Sequence, residues 1–454
     1  MSKKAIVKKG QQDLDSLACV HPHAAGLDIG AREIWACVPP GTAGETVRTF
    51  GTFTPDLHAL ADWLVQCGVD TVAMESTGVY WIPVFDLLEA RGLKVYLVNA
   101  WHLKHVPGRK SDYLDCQWIQ KLHSLGLLNG SFRPDAELVS LRTYLRHRAQ
   151  ILQHRAPHIL HMQKALHQMN LQLTQVLSDV TGVTGLAILR AIVAGERDPL
   201  TLAHLRNPAC KSSEQDIVKA LTGTWAAEHL FVLKQSLELY DFYTQQLATC
   251  DTEIERLFST LKPRWDPPEA LPAIPPAKES SQSKNRPASN VRAELIRLIG
   301  VDLVAVDGIS ASLAEIILSE IGTDMSRFPT DKRFCSWLGL APHNDISGGK
   351  ILRSRTLKTH NRAGQAFRQA AASVIRSQSA FGAFYRRKRA QLGPLQALVA
   401  TAHKIARTVY HLLKERLPYQ DIGAAEYERK HAERELAALR RKAAKLGFTF
   451  TPQA

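Results

Sequence analysis

Four acidic side chains have the residue types and the spacing that metal-dependent phosphoryl transfer requires. They are Asp28, Glu75, Asp112 and Asp115. The first lies in a short apolar run, 25–30, and the second ends another, 71–75, so each is predicted at the end of a strand. The other two lie three residues apart just after a serine, a residue type that caps helices, which places both on one helical face. Carboxylates gathered in this way repel unless a divalent cation neutralises them. Oxygen ligands of this kind suit Mg²⁺ or Mn²⁺, and two such ions about 4 Å apart would stabilise the attacking and leaving oxygens of a phosphoryl group.

Each acid taken alone has a simpler interpretation. An aspartate at a strand end is often a turn residue, and one in a first helical turn complements the helix dipole. Asp28 fits this alternative least, because a charge between Leu27 and Ile29 in a buried strand needs a partner or a metal. The ordered set of four is therefore the more specific signal.

Composition points to a polyanionic partner. The 454 residues carry a net charge of +14 and a pI near 9.5, which favours nucleic acid first and an anionic membrane second. No apolar run is long enough for a transmembrane helix, and no secretory leader is visible. The seven cysteines are scattered without a Cys-x-x-Cys pair, which argues against zinc and disulfides. We therefore expect a cytoplasmic protein with reduced thiols.

The elements that must position the acids follow from hydrophobic patterning. Residues 1–20 are predicted as a disordered basic arm, and 21–135 as an α/β domain. Its predicted strands are 25–29, 33–38, 47–53, 71–75 and 94–98, and its helices lie near 55–67, 79–91 and 111–125. A meander of three strands followed by βα crossovers is a ribonuclease H-like order.

The pattern changes at Glu137 to a helical heptad. The repeating positions are Leu138, Leu145, Leu152, Ile159, Leu166 and Leu173. The companion positions Arg148 and Arg155 do not fit this repeat, and Pro157 should kink or break the helix. With a second long helix near 226–262, domain 136–262 is predicted as a helical hairpin or a dimerising coiled coil. Its histidines, among them His154 and His158, are expected to be solvated or to face phosphates rather than to bind a metal.

The remaining chain divides at a proline- and serine-rich stretch. Residues 263–290 are predicted as a flexible linker. A second globular unit is expected at 291–423, followed by a charged tail at 424–454. The tail mixes charges along a helical period, which favours a solvated helix, with an interaction helix as the alternative.

The second unit holds the basic charge. From Ile346 to Lys414 there is no acid among 69 residues, against five lysines and nine arginines, a local charge equal to that of the whole chain. This composition favours phosphate contacts. The candidate nucleic-acid-binding residues are Arg109, Lys110, Gly348, Gly349, Lys350, Arg353, Arg355, Lys358 and Arg362. Ser347, at the head of the segment, could donate a hydrogen bond to a phosphate or act as a nucleophile if a metal or base activated it.

Two further patterns lie upstream of this serine. The run 306–310, Val-Asp-Gly-Ile-Ser, is similar to a helix-hairpin-helix turn, although Ser310 stands where its second glycine would be. The run 338–342, Leu-Gly-Leu-Ala-Pro, is typical of a helix end in a local core.

Taken together, these features resemble the DEDD transposases of the insertion-sequence-110 family. The features are the acidic set, the Gly-Arg-Lys-Ser before Asp112, the helical middle, and the run 337–342 leading into Ser347-Gly-Gly-Lys. The resemblance spans nearly the whole chain. It implies a RuvC-like nuclease domain, a coiled-coil middle and a mainly α C-terminal transposase domain. It further implies Mg²⁺ on the four acids, a covalent phosphoserine at Ser347, a dimer or tetramer, and guidance by a structured noncoding RNA.

Two other functions remain possible on the residues alone. One is a RuvC-like junction resolvase or endonuclease without serine chemistry, resting on the acids. The other is a non-catalytic nucleic-acid-binding protein, resting on the basic segment.

Overall fold

The computed structural model describes residues 17–76, 78–99, 111–263, 265, 285, 291–356 and 361–448. The chain divides into two compact units, the first ending at Arg133 and the second beginning at Pro134. Each is described separately below.

The first unit is a five-stranded mixed sheet with helices on both faces. Its strands are β1 (Ala24–Ile29), β2 (Glu33–Cys37), β3 (Val47–Gly51), β4 (Thr71–Glu75) and β5 (Lys94–Val98), and its helices are α1 (Thr54–Gln66), α2 (Trp81–Ala90) and α3 (Asp112–Ser124). The strand order is β3-β2-β1-β4-β5, with β1–β2 and β2–β3 antiparallel and β1–β4 and β4–β5 parallel. All eight predicted elements are present, which confirms an α/β first unit.

The alternation of strand side chains separates the two faces of this sheet. Leu27, Ile34 and Met74 lie on one face, in the core formed with α1 and α2. Ala73 lies on the other face, in a smaller cluster with Ile119 of α3. Residues two apart share a face of a strand, so α3 covers the face that carries the even-numbered residues of β1.

The predicted basic arm, 1–20, lies mostly outside the described residues. At its end, the backbone N–H of Val20 donates to the carbonyl of Ser124 at the end of α3 (2.8 Å). The end of the predicted arm is therefore hydrogen-bonded to the end of α3.

The second unit begins with a long antiparallel helical pair. Its helices are α4 (Ala136–Gln168), the short helices α5 (Leu173–Val176), α6 (Val183–Ala194), α7 (Pro199–His204) and α8 (Glu214–Leu221), and α9 (Ala227–Thr260). Tyr144 contacts Cys250 and His158 stacks on Tyr243, so the two long helices run in opposite directions within one chain. The helical hairpin is thus present, and α5–α8 close it around a buried apolar cluster.

The two arginines that interrupt the heptad are buried inside this hairpin. Arg148 forms an ion pair with Asp251, and Arg155 donates to the Thr244 hydroxyl (3.2 Å). Both arginines are less than a tenth exposed. They stabilise the helix pairing instead of facing solvent. Helix α4 also continues through Pro157, so the predicted break is absent.

Three residues of the predicted linker 263–290 are described, Pro263, Trp265 and Asn285, and the last two are anchored. The indole of Trp265 donates to the Arg297 carbonyl (2.9 Å). Asn285 accepts from Arg148 at its backbone oxygen (3.0 Å) and from Arg155 at its side-chain oxygen (2.6 Å). At these two points the segment is tethered, contrary to the expectation of a free linker.

The rest of the second unit is a helical bundle with one hairpin. Its elements are α10 (Val291–Ile299), α11 (Ala311–Ile321), α12 (Asp331–Trp337), β6 (Pro342–Ser347), β7 (Lys350–Thr356), α13 (Arg362–Ser373), α14 (Ala380–Leu392), α15 (Pro394–Glu415) and α16 (Gly423–Lys445). Phe334, Phe367 and Tyr410 form an aromatic core between α12, α13 and α15. Leu338 and Leu340, after α12, are buried as predicted for a helix end.

In the described ranges, no helix combines the length and apolar character needed to cross a lipid bilayer. All seven cysteines are free thiols in the structure.

Candidate active site

Asp28 and Glu75 lie side by side on one face of the first sheet. Leu27 pairs in parallel with Met74, so the next residues of β1 and β4 are these two acids. Both strands run in the same direction, and both carboxylates therefore lie near the carboxyl ends of their strands. The sequence prediction that two strand ends carry adjacent acids agrees with this geometry.

Helix α3 places Asp112 and Asp115 beside them. Ser111 caps the helix by accepting from the N–H of Leu114 (3.4 Å), as predicted. The Gln120 amide donates to the Ala24 carbonyl (3.1 Å), whereas Gly26, two residues further along β1, lies against Cys116, four residues earlier in α3, so α3 runs antiparallel to β1. A helix advances about 6 Å in four residues, and a strand about 7 Å in two. The helix start therefore overlies the end of β1 that carries Asp28.

Gly26 makes this approach possible. A Cβ atom at this position would lie 2.5 Å from the Cys116 carbonyl oxygen and 2.7 Å from the Gln120 Cα. Contacts this short are not tolerated between real atoms, so only glycine lets α3 rest directly on β1. The register of the acidic residues depends on this contact.

The electrostatics of Asp28 indicate that the four acids converge. Burial, followed by the charges of Asp112, Asp115 and Glu75 in that order of effect, raises the pKa of this carboxyl to about 6. The N–H of Ile29 opposes the shift by hydrogen bonding to the charged form. Like charges influence each other this way only at short range. The site therefore carries an excess of negative charge for its degree of burial.

These carboxylates match the donor set of a hard divalent cation. Within the described ranges, no three His, Cys, Asp or Glu side chains are gathered closely enough to hold a metal ion. The four acids are close enough for their charges to raise the pKa of Asp28, and a bound ion would require them to draw closer together.

An aromatic pair borders the acids, and sequence reasoning missed it. Trp35 of β2 pairs directly opposite Asp28, and its ring meets the Tyr113 ring edge-on at 6.1 Å. The buried indole N–H of Trp35 has no hydrogen-bond partner among the described residues. Two sequence features could have predicted this pair. Trp35 lies within the alternating pattern of β2, and Tyr113 is the neighbour of Asp112 in the sequence.

Ser347 lies at the turn of an exposed β-hairpin, an element that the sequence analysis did not predict. It pairs with Lys350 across the turn, and the two residues between them, Gly348 and Gly349, both have positive φ (54° and 75°). This backbone is typical of the tight turns that join antiparallel strands, and Gly-Gly is one of their sequence signals. Every residue of β6 and all but the last of β7 are exposed, so the serine hydroxyl is accessible.

The predicted phosphate-binding residues divide into groups. Lys350, Arg353 and Arg355 are exposed on β7. Arg362 begins α13 and is half-buried. Arg109, Lys110 and Lys358 lie outside the described residues.

Part of the basic segment is structural. The Arg368 guanidinium donates to the Gly339 carbonyl (2.8 Å), and burial lowers its pKa. Arg407 forms an ion pair with Asp331, an acid from outside the segment. The cations available for phosphate are therefore fewer than the sequence count.

The turn that resembles a helix-hairpin-helix is packed against a helix. Ser310 caps α11 by accepting from the N–H of Leu313 (3.3 Å). A Cβ at Gly308 would clash with the Ala370 carbonyl, and the Ser373 hydroxyl donates to the Gly308 carbonyl (3.1 Å). Gly308 thus serves the packing of the turn on α13.

Comparison with protein families matches two parts of this chain. Residues 25–171, which contain all four acids, match a DEDD transposase model of the IS110 group. Residues 302–386, which contain the β6–β7 hairpin, match the model described as Transposase IS116/IS110/IS902 family. No curated protein matches the chain.

Both matches describe transposases, and together they cover the acidic site and the exposed serine. The chain belongs to the IS110 family of DEDD transposases. It is accordingly a DNA-cleaving and rejoining enzyme of an insertion sequence.

Proposed function

We propose that this transposase cuts and rejoins DNA through a divalent-metal centre on Asp28, Glu75, Asp112 and Asp115 and a nucleophilic hydroxyl on Ser347. The observation that carries the proposal is the placement of Asp28 and Glu75 on neighbouring parallel strands beneath the start of α3, where burial and the three neighbouring carboxylates raise the pKa of Asp28 to about 6. A centre with that excess of negative charge is suited to Mg²⁺, with Mn²⁺ as an alternative. When bound, the ions would stabilise charge on the scissile phosphate.

The protein side chains have separate roles in this proposal. The carboxylates position the ions, and Gly26 fixes α3 so that both of its acids face Asp28 and Glu75. Trp35 and Tyr113 form an apolar border that restricts water on one side. The first unit is taken to be ribonuclease H-like, in keeping with its strand order.

Ser347 would conserve the phosphodiester bond energy. As its Oγ–phosphorus bond forms, the bond from phosphorus to one deoxyribose oxygen breaks; the serine proton is lost to a base and the leaving oxygen gains one. Attack by another DNA hydroxyl on the phosphoserine reverses these steps and restores the free serine. Gly348 and Gly349 keep the turn narrow, and Lys350, Arg353 and Arg355 are placed to contact flanking phosphates.

The rest of the proposal concerns assembly. Domains 21–135, 136–262 and 291–423 are assigned to nuclease, helical and transposase functions. A structured noncoding RNA of the element would select the DNA, and two or four copies would act together, as the family resemblance implies.

The decisive experiment is to trap the covalent intermediate. Purified protein with RNA transcribed from the flanking element and labelled element-end DNA is quenched in detergent with or without Mg²⁺. A labelled protein–DNA adduct is expected with wild type and Mg²⁺, and none with Ser347→Ala or Asp28→Asn. Ser354→Ala, on the same hairpin and equally exposed, is the matched control and should form the adduct normally.

The junction-resolvase alternative predicts another pattern. Free cleaved ends without an adduct, produced equally by wild type and Ser347→Ala, would establish hydrolysis instead. Activity that persists in Asp28→Asn and without divalent ions would exclude the metal centre.

A further inference from the structure

Among the residues that the structure describes, the buried contact of the C-terminal helix α16 with the rest of the second unit is near its beginning. The Tyr427 side chain is buried, and its hydroxyl accepts from Arg387 (2.6 Å). Lys404 lies over the same ring, with its Nζ 4.2 Å from the ring centroid. Beyond this contact, α16 is exposed from Ala432 to its end, apart from the half-buried Ala443. The helix therefore extends away from the bundle.

The exposed part of α16 has an apolar seam. Its positions are Ala432, Leu436, Leu439, Ala443 and Leu446, separated by four, three, four and three residues. This is the a/d spacing of a coiled coil. Leu436, Leu439 and Leu446 are 38%, 51% and 65% exposed. The segment lies beyond residue 386, where the second family match ends.

Charges beside the seam fit a second copy of the same helix. With Leu436 at position a and Leu439 at position d, the e positions are Glu433 and Arg440. The g positions are Glu435 and Lys442. In an antiparallel pair that aligns Leu436 with Leu439, the e positions face each other and the g positions face each other. Glu433 then meets Arg440 of the second copy, and Glu435 meets Lys442. By symmetry this gives four attractive pairs.

A parallel pair fits less well. There each g position meets the e position five residues later, which places Glu428 against Glu433. Only the pairing of Glu435 with Arg440 would then be attractive. The charge pattern thus selects both the partner, a copy of this chain, and the antiparallel orientation.

A cleft beside the start of α16 suits the end of the second copy. It has a volume of about 260 Å³ between α14 and α16 and is lined in part by Ala383, Tyr427 and Ala432. Arg386, Arg387, Glu428, His431 and Glu435 complete the lining. In the antiparallel register, Phe448 of the second copy falls opposite Tyr427. Phe448 is 69% exposed in the single chain.

We propose that α16 is a self-association helix that pairs antiparallel with α16 of a second copy through the seam positions Ala432, Leu436, Leu439 and Ala443. The proposal does not rest on the proposed function of Ser347 or the acids. A coiled coil of two heptads is only marginally stable by itself. The test therefore measures whether defined positions of two copies come close together, and does not rely on the molecular mass in solution alone.

The test is disulfide cross-linking between two differently tagged full-length proteins. One carries Leu436→Cys and the other Leu439→Cys, both in a Cys19→Ser background because Cys19 is an exposed thiol. After mild oxidation of the mixture, we expect a mixed cross-linked dimer at least fivefold above that of either protein alone. Equal cross-linking within each single protein would overturn the antiparallel register. No cross-link in any mixture would overturn the pairing itself.

Charge reversal gives a second, independent readout. Glu435→Lys and Lys442→Glu should each reduce the mixed cross-link severalfold, and the double variant should restore it because the g–g contact is re-formed with opposite signs. Arg441→Glu, an exposed position on the outer face, is the control and should have no effect. Failure of the double variant to recover, with helicity unchanged by circular dichroism, would contradict the pairing. A normal covalent adduct with DNA in these variants would separate this result from the proposed function.

Discussion

Gly26 on β1 and Gln120 on α3 are in contact through their backbones, with no room for a side chain between strand and helix. Beside this contact, the Gln120 amide donates to the Ala24 carbonyl (3.1 Å) and fixes the helix along the strand. Two of the four acids depend on this packing for their position, since α3 carries Asp112 and Asp115.

Gly26→Ala should therefore impair both stability and catalysis. The added methyl group must push α3 away from β1, at about 1–3 kcal/mol of unfolding free energy. Thermal unfolding and the Mg²⁺-dependent adduct assay would measure the two effects. Gly44→Ala is the control, because nothing lies within 4 Å of a Cβ there. Equal behaviour of the two variants would contradict the role given to Gly26.

Asp28→Asn should stabilise the metal-free protein while abolishing activity. The folded-state pKa of Asp28 is raised from 3.8 to about 6, so the contribution of this one group to stability is most favourable below pH 3.8 and is lost as the pH rises through about 6. At pH 7 the full penalty applies, up to about 2 kcal/mol after allowance for solvent screening. In EDTA at pH 7 the variant should melt higher than wild type, and Mg²⁺ should raise the melting temperature of wild type only. A wild-type melting temperature that Mg²⁺ leaves unchanged would argue against a metal centre.

Glu315→Gln should remove a pH dependence from the second unit. Glu315 is 1% exposed, and its pKa is raised to about 8 by burial, with Arg148 opposing the shift and Asp251 adding to it. Because the folded state holds the proton, stability is lost as pH rises from about 4.5 to about 8. The glutamine variant should gain about 2 kcal/mol or more relative to wild type between pH 5 and pH 8. Urea unfolding at both pH values measures the unfolding free energy of each protein. The same change in unfolding free energy between pH 5 and pH 8 in wild type and variant would contradict this prediction.

The hairpin turn should tolerate asparagine but not valine at Gly348. Its φ of 54° is accessible to asparagine and strained for a β-branched residue by about 1–2 kcal/mol. Gly348→Val should thus reduce formation of the Ser347 adduct by about tenfold, whereas Gly348→Asn should retain most of it. The adduct assay compares them, and similar yields would indicate that the turn geometry does not position the serine.

Hydrophobic periodicity determined the elements of the first unit. The strands that contain Asp28 and Glu75 and the capped helix that contains Asp112 were predicted because their signals are local: apolar alternation, a glycine stop and a serine cap. The strand order then follows from short connections and leaves those acids on neighbouring strands. Sequence therefore predicted the strands and the helix that carry the four acids, and the fold has those elements with Asp28 and Glu75 on neighbouring strands.

Tertiary structure decided what has no local signal. In the sequence, Arg148 and Arg155 do not fit the heptad pattern. In the structure both are buried, because Asp251 and Asn285, more than 100 residues away in the sequence, accept hydrogen bonds from their guanidinium groups. The meeting of Trp35 with Tyr113 and the close contact at Gly26 likewise depend on how α3 lies on the sheet. Composition supplied the number of cations from Ile346 to Lys414, but only the fold separated those held by carbonyls and carboxylates from those that face solvent. The reason is physical: burial and partner choice depend on atoms brought together by packing, and the order of residues along the chain does not contain those distances.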